Sequence, residues 1–217
     1  MQKLPITLII LWEIYGELDL GCPADLSFWS ACLICFYGLL RKSTLLPLSA
    51  RSSTSLCLCR GDVVKLGIHS FLLRIRHSKT IQFGQRLLTI PFVSCDDAQV
   101  CPVAFLIRHL AKSNLQKDFS LFSYIDKGRV CSLTHSIFVS KLRHLLGLLG
   151  YPPAKYSGHS FRRGGCTACY QAGLSLTEIK LRGDWKSQAF EQYLFIPAES
   201  VFEGARLLSS FASTSCV

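Results

Sequence analysis

The chain has 217 residues, 49% of them apolar and 18% charged, a balance that argues against an intrinsically disordered chain and supports one large domain or two small ones with a real core. Lys and Arg number 24 against 14 Asp and Glu, a formal charge of +10 that favours a polyanionic partner. The 11 cysteines are odd in number and irregularly spaced, without a paired CxxC…CxxC array. They are expected to be reduced intracellular thiols, and no metal site is expected.

In chain order, residues 5–20 carry a first helix with Thr7 near its start, and Gly21 and Pro23 punctuate it. The opening apolar run follows Lys3, but Pro5 interrupts it, Glu13 ends it and no small-residue cleavage site follows, so a secretory signal is not expected. The uncharged run from Leu26 to Leu40 is shorter than the ~18 residues of a membrane span. It predicts a fully buried core helix capped by Asp25 or Ser27, and no membrane association. Arg41 and Lys42 follow directly, which places a cation at the edge of the core.

Residues 71–77 alternate apolar and basic, and residues 87–92 are apolar and partly β-prone. The polar stretch Ser78 to Gly84 between them predicts a β-hairpin with Lys79 near its tip. Cys101-Pro102 opens a helix running to about Ala111, with proline near its first turn. Thr134 caps a helix presenting Ile137, Phe138, Leu142, Leu145, Leu146 and Leu149 at helical spacing, with Lys141 and Arg143 between them, and Gly150 and Pro152-Pro153 end it.

The C-terminal third is helical with clear stops. A helix starts near His159–Ser160 and runs to Gln171; Ser175 and Glu178 form a capping box for a short helix ending at Gly183. Ser187 caps the next helix, which carries Tyr193 and stops before Pro197, and residues 203–211 are expected to form one more. The expected fold class is α+β, mainly α, with a small antiparallel hairpin or sheet.

The most informative stretch is Ser157-Gly158-His159-Ser160-Phe161-Arg162-Arg163-Gly164-Gly165, followed by Trp185 and Tyr193. His159 and Arg162 share one face of a helix that starts there. A base, a fixed cation and a phenol are the parts needed for covalent attack on a phosphodiester. This order resembles the catalytic signature of tyrosine recombinases, the phage-integrase family, and the wording RHSKTIQFG, HSFRRGG and GDWKS resembles recombinases of eukaryotic mobile elements. By that resemblance Gly38 to Ser43 is the first-arginine box with Arg41, Lys79 is the hairpin lysine, His159 and Arg162 are the His-x-x-Arg pair, Trp185 fills the next position, and Tyr193 is the nucleophile.

The resemblance implies a double-stranded DNA substrate, cleaved and rejoined through a 3′-phosphotyrosyl link without a cofactor, by a homo-oligomer on DNA in the nucleus. It covers the catalytic domain alone. Residues 1–217 are expected to be that single domain without the family's N-terminal clamp, which predicts weak and poorly selective DNA binding. Arg74 and Arg76, Lys141 and Arg143, and Lys155 and Arg163 are the basic clusters expected to meet DNA.

Three departures leave alternatives open. Thr44 stands where many members carry an acidic residue. Trp185 lies one position closer to Tyr193 than is common, which makes Asp184 an alternative for that slot. Arg60, after Cys57-Leu58-Cys59, is a rival first arginine. A catalytically inactive, mobile-element-derived DNA-binding or interaction protein is the alternative function.

Overall fold

The computed structural model describes residues 3–50, 56–78 and 86–194, together with Phe202 and Arg206. The uncharged run forms the central helix. Helix α1 spans Leu8–Gly16, and Thr7 accepts the Ile10 N–H as its N-cap. Helix α2 spans Pro23–Tyr37, and every residue from Leu26 to Phe36 is buried. It begins before Asp25 and Ser27, because Pro23 brings a helical φ and needs no N–H partner; Cys22 is the cap residue without a side-chain bond. Its two buried serines are satisfied, Ser27 donating to the Phe122 carbonyl at 2.8 Å and Ser30 to the Leu26 and Phe105 carbonyls at 2.8 and 3.0 Å. A short helix α3, Lys42–Leu45, follows with Arg41 as its N-cap.

Strands β1 (Val63–Lys65), β2 (Ser70–Ile75) and β3 (Leu88–Val93) form an antiparallel sheet in that order. Phe71, Leu73 and Ile75 are buried while Leu72 and Arg74 are not, as a period of two requires. Phe71 pairs with Phe92 across the strands, their rings stacked at 4.8 Å. The predicted strand pairing is present as β2 with β3, and β1 adds a third strand. Lys79, at the predicted tip, lies outside the described residues.

Helix α4 (Pro102–Ser113) packs on α2, and a second ribbon follows, β4 (Ser123–Asp126) with β5 (Arg129–Ser132). Its turn has Lys127 at φ +47 and Gly128 at φ +77, the doubly left-handed geometry of a tight hairpin. Helix α5 (His135–Leu148) is capped by Thr134, α6 spans Gly158–Gln171, and α7 spans Leu176–Arg182 with the Ser175–Glu178 capping box formed. Tyr193 ends a 3₁₀ segment, Gln188–Tyr193, rather than an α-helix. The helix expected over 203–211 lies almost wholly outside the described residues.

The core runs through α2, α5 and α6, with the Phe28 ring 5.3 Å from Phe138 and Phe138 5.5 Å from Phe161. Helix α6 approaches its neighbours too closely for side chains. A Cβ on Gly164 would sit 1.6 Å from the Ile6 carbonyl oxygen, and one on Gly165 would sit 2.1 Å from that of Phe36. The two glycines of HSFRRGG thus hold the helix bearing His159 and Arg162 against the N-terminal segment and the end of α2. The result is α+β, mainly helical. Among the described residues no helix is long and apolar enough to cross a membrane.

Candidate active site

A small cleft opens where the ends of α2, α6 and α7 meet the sheet. Arg41, Thr44, Ser78, Arg162, Arg182 and Asp184 are among its lining residues. Arg41 arrives from the turn after α2, Arg162 from the first half of α6, and Arg182 and Asp184 from the end of α7. Ser78, beside Lys79 in sequence, comes from the segment that follows β2. Three guanidinium groups and one carboxylate share this space.

Arg162 is the centre of the arrangement and is 2% exposed. One Nη donates to the Leu39 carbonyl and the other to the Gly183 carbonyl, the latter at 2.6 Å. Its guanidinium carbon lies 3.8 Å from the centroid of the Trp185 ring and 5.6 Å from that of Tyr193. Burial, with Arg41 nearby, pushes the guanidinium down to about 9, so it remains a cation at neutral pH. Its Nε finds no partner among the described residues.

The backbone around Arg162 is strained on both sides. Leu39 has φ +50 while fully buried, and Asp184 has φ +55. Both are left-handed conformations that side-chain-bearing residues seldom adopt. Each adjoins or supplies a carbonyl that Arg162 uses. Gly183 is required sterically, since a Cβ there would lie 1.6 Å from the Trp185 ring.

Trp185 forms the floor. It is 9% exposed, its ring lies 5.4 Å from Tyr193 and 5.8 Å from Phe190, and it packs with Leu39, Cys166 and Ile179. Its indole N–H is buried without a partner among the described residues. Burial pushes the Cys166 thiol up to about 12, the behaviour of a packed thiol rather than a reactive one. Of the two rivals for one slot, Asp184 lines the cleft and Trp185 lies beneath Arg162.

The structure brings Arg41 and Arg162 to one cleft, and Trp185 and Tyr193 against Arg162. His159 is exposed at the start of α6, next to Gly158, where a Cβ would meet the Lys42 side chain at 2.6 Å. Lys42 continues past Gly158 to within 3.5 Å of His135 Nδ1. Arg60, the rival first arginine, is instead buried with Nη2 donating to the Ser123 carbonyl at 2.8 Å and Nη1 to that of Leu110 at 3.4 Å.

The basic clusters divide by what they touch. Arg74, Arg143 and Lys155 are exposed. Arg76 is paired with Asp62 at 2.8 Å, and Lys141 is paired with Asp25 and lies 5.5 Å above the Phe28 ring. Arg163 is buried, with one Nη donating to the Gln192 carbonyl at 3.2 Å, so it braces the segment bearing Tyr193.

Sequence reasoning did not single out Arg182, whose Nε donates to the Tyr37 carbonyl at 2.9 Å and whose Nη2 donates to that of Pro91 at 3.3 Å. It ties α7 to α2 and the sheet. Its position directly before Gly183-Asp184-Trp185 was the available signal.

No protein-family model and no curated protein matches this sequence. Solved structures do. The XerA recombinase is similar over 95% of this chain and 65% of its own, at 15% identity and a TM-score of 0.66. The XerH site-specific recombinase, in a post-cleavage complex with its difH substrate, is similar over 96% of this chain at 14% identity and a TM-score of 0.65. The Tn1549 transposon integrase, in complex with transposon right-end DNA, covers 96% at 12% identity and a TM-score of 0.59. The chain spans 54% of the XerH chain, about half its length. The fold is that of a tyrosine recombinase catalytic domain.

Proposed function

We propose that the chain is a catalytic domain that cuts and rejoins double-stranded DNA through Tyr193. The observation that carries this reading is the convergence of Arg41 and Arg162 in one cleft, with the Tyr193 ring 5.6 Å from the Arg162 guanidinium. In the proposed step Tyr193 Oη attacks the scissile phosphorus, the bond from phosphorus to the 5′-oxygen breaks, and a 3′-phosphotyrosyl link forms. The phenolic proton passes to His159, and the leaving 5′-oxygen takes a proton from Lys79, the role that the resemblance gives the hairpin lysine.

Arg41 and Arg162 stabilise the charge that builds on the nonbridging oxygens, and Trp185 holds Arg162 in place through its ring face. The basic charge supplies the phosphate contacts, with Arg74, Arg143 and Lys155 as the exposed candidates. Homo-oligomeric assembly on paired DNA sites and action in the nucleus belong to the same proposal. So does the assignment of residues 1–217 to a single domain.

The experiment is a nicked suicide duplex that traps the cleaved state. A covalent adduct that disappears in Tyr193→Phe supports the proposal, and the absence of any adduct from a folded, DNA-bound protein refutes it.

One observation favours the second reading, a DNA-binding protein that has lost strand transfer. Both Nη groups of Arg162 are already engaged by the Leu39 and Gly183 carbonyls. That reading expects salt-sensitive DNA binding unchanged by Tyr193→Phe, with no adduct.

A further inference from the structure

Asp184 is the one carboxylate among the described lining residues of a cleft that also presents Arg41, Arg162 and Arg182. Its side chain is 13% exposed, so its charge lies largely out of bulk water, where interactions are strong. Its backbone is left-handed, φ +55, a conformation that Asp tolerates better than most residues, and it lies between Gly183 and Trp185, which pack closely on each other. One carboxylate oxygen is engaged by Arg86, from the segment leading into β3 and outside that set of lining residues.

Arg162 meanwhile keeps a buried Nε without a partner among the described residues, although it feels the Asp184 charge. The cleft therefore holds an internal anion, paired with a cation from outside the lining, and an unfilled donor on the central arginine.

We propose that Asp184 is the resident counter-anion of the arginine cleft, a positioning residue that an incoming phosphodiester must displace or outcompete. The proposal rests on the reading of this cleft as a phosphodiester site. A carboxylate and a phosphate are like charges and cannot share the three arginines without cost. Asp184 offsets one of the three positive charges that line the empty cleft, while backbone carbonyls hold Arg162 and Arg182. With the carboxylate paired to Arg86, as it is in the structure, the orphan donor of Arg162 remains for a phosphate oxygen. Asp184 thereby weakens unspecific capture of phosphate groups, and Arg86 sets how strongly.

The test uses the full chain carrying Tyr193→Phe, so that only binding is read. Asp184→Asn removes the charge and keeps the backbone, because Asn tolerates a left-handed φ; Asp184→Gly is the second variant should Asn disturb the fold. Asp126→Asn, at the exposed β4–β5 turn, matches the change in net charge. Binding of a duplex oligonucleotide is measured by anisotropy, and the rise in melting temperature with inorganic phosphate by calorimetry.

Asp184→Asn is expected to tighten duplex binding roughly threefold to tenfold, and Asp126→Asn less than about twofold. Phosphate should stabilise Asp184→Asn more than the parent. Equal effects of the two Asn substitutions, or no gain in either measurement, overturn the proposal. Phosphate stabilisation specific to Asp184→Asn without any duplex binding upholds the counter-anion and refutes the DNA reading. Duplex binding that is equal in all variants does the reverse.

Discussion

Replacing Gly164 with alanine sets two opposed effects against each other, and the structure decides the sign. In a helix interior alanine is favoured over glycine by about 0.8–1.0 kcal/mol. At Gly164, however, the new methyl would sit 1.6 Å from the Ile6 carbonyl oxygen and 3.1 Å from the Phe36 ring. A carbon and an oxygen need about 3.0 Å or more, so α6 and the Ile6 segment must separate by more than an ångström. That movement strains the hydrogen bond from the Ile6 N–H to the Ser160 carbonyl, 2.9 Å long. Overpacking of this kind costs typically 1–3 kcal/mol, and a lost hydrogen bond about 1 more. The net expectation is a loss of about 1–3 kcal/mol.

Gly147, on α5, is the internal control. Its nearest new contact is the Pro153 ring at 3.5 Å, an ordinary van der Waals distance, so Gly147→Ala should gain about 0.5 kcal/mol. Urea denaturation of the two variants and the parent reads both signs in one experiment. Gly164→Ala as stable as Gly147→Ala would refute the packing of α6 against the N-terminal segment, and with it the seating of Arg162.

Arg60→Ala should cost about 2–4 kcal/mol by stranding the Leu110 and Ser123 carbonyls, while Arg41→Ala should cost less than about 1 kcal/mol and remove adduct formation; urea melts and the suicide substrate test both, and the opposite pattern would make Arg60 the functional arginine. Trp185→Ala should destabilise by about 3–5 kcal/mol and Trp185→Phe by clearly less, since the ring supports Arg162, Tyr193 and Phe190; a near-neutral Trp185→Ala in the same melts would contradict the floor assignment. His109 donates Nε2–H to the Leu121 carbonyl at 3.0 Å with its buried Nδ1 unpartnered, and burial pushes it down to about 4. Its folded pKa lies below the unfolded value near 6.5, so the unfolded chain binds the extra proton and stability falls as pH drops from above 6.5 toward 4. The loss is on the order of 3 kcal/mol. His109→Gln should flatten that part of a stability–pH curve, and a curve as steep as the parent's would refute the burial argument.

What could be read without coordinates was whatever local chemistry dictates. The uncharged run could only be buried, Thr7, Thr134 and the Ser175–Glu178 box mark helix starts through hydrogen bonds within one turn, and the alternation of 71–77 marks a strand face. The motif order itself indicated the recombinase fold. The β4–β5 ribbon was missed although Lys127-Gly128 is a turn signal, because its strands are short and carry mixed polarity. Pro23 moved the start of α2 ahead of the expected caps for a reason equally local.

The site's balance of charge was decided only in three dimensions. Arg60 and Arg41 are both arginines near apolar runs, and nothing local says that one is spent on buried carbonyls while the other faces the cleft. Arg163 and Lys141 look basic in one dimension, yet one is buried on a backbone carbonyl and the other paired with Asp25. Asp184 and Arg86 lie far apart in sequence, and their pairing follows from where α7 ends against the sheet. Residue types and helix starts follow from interactions within a few residues. Which charges meet, and which of them stay free for a ligand, follows from long-range packing around α2 and α6.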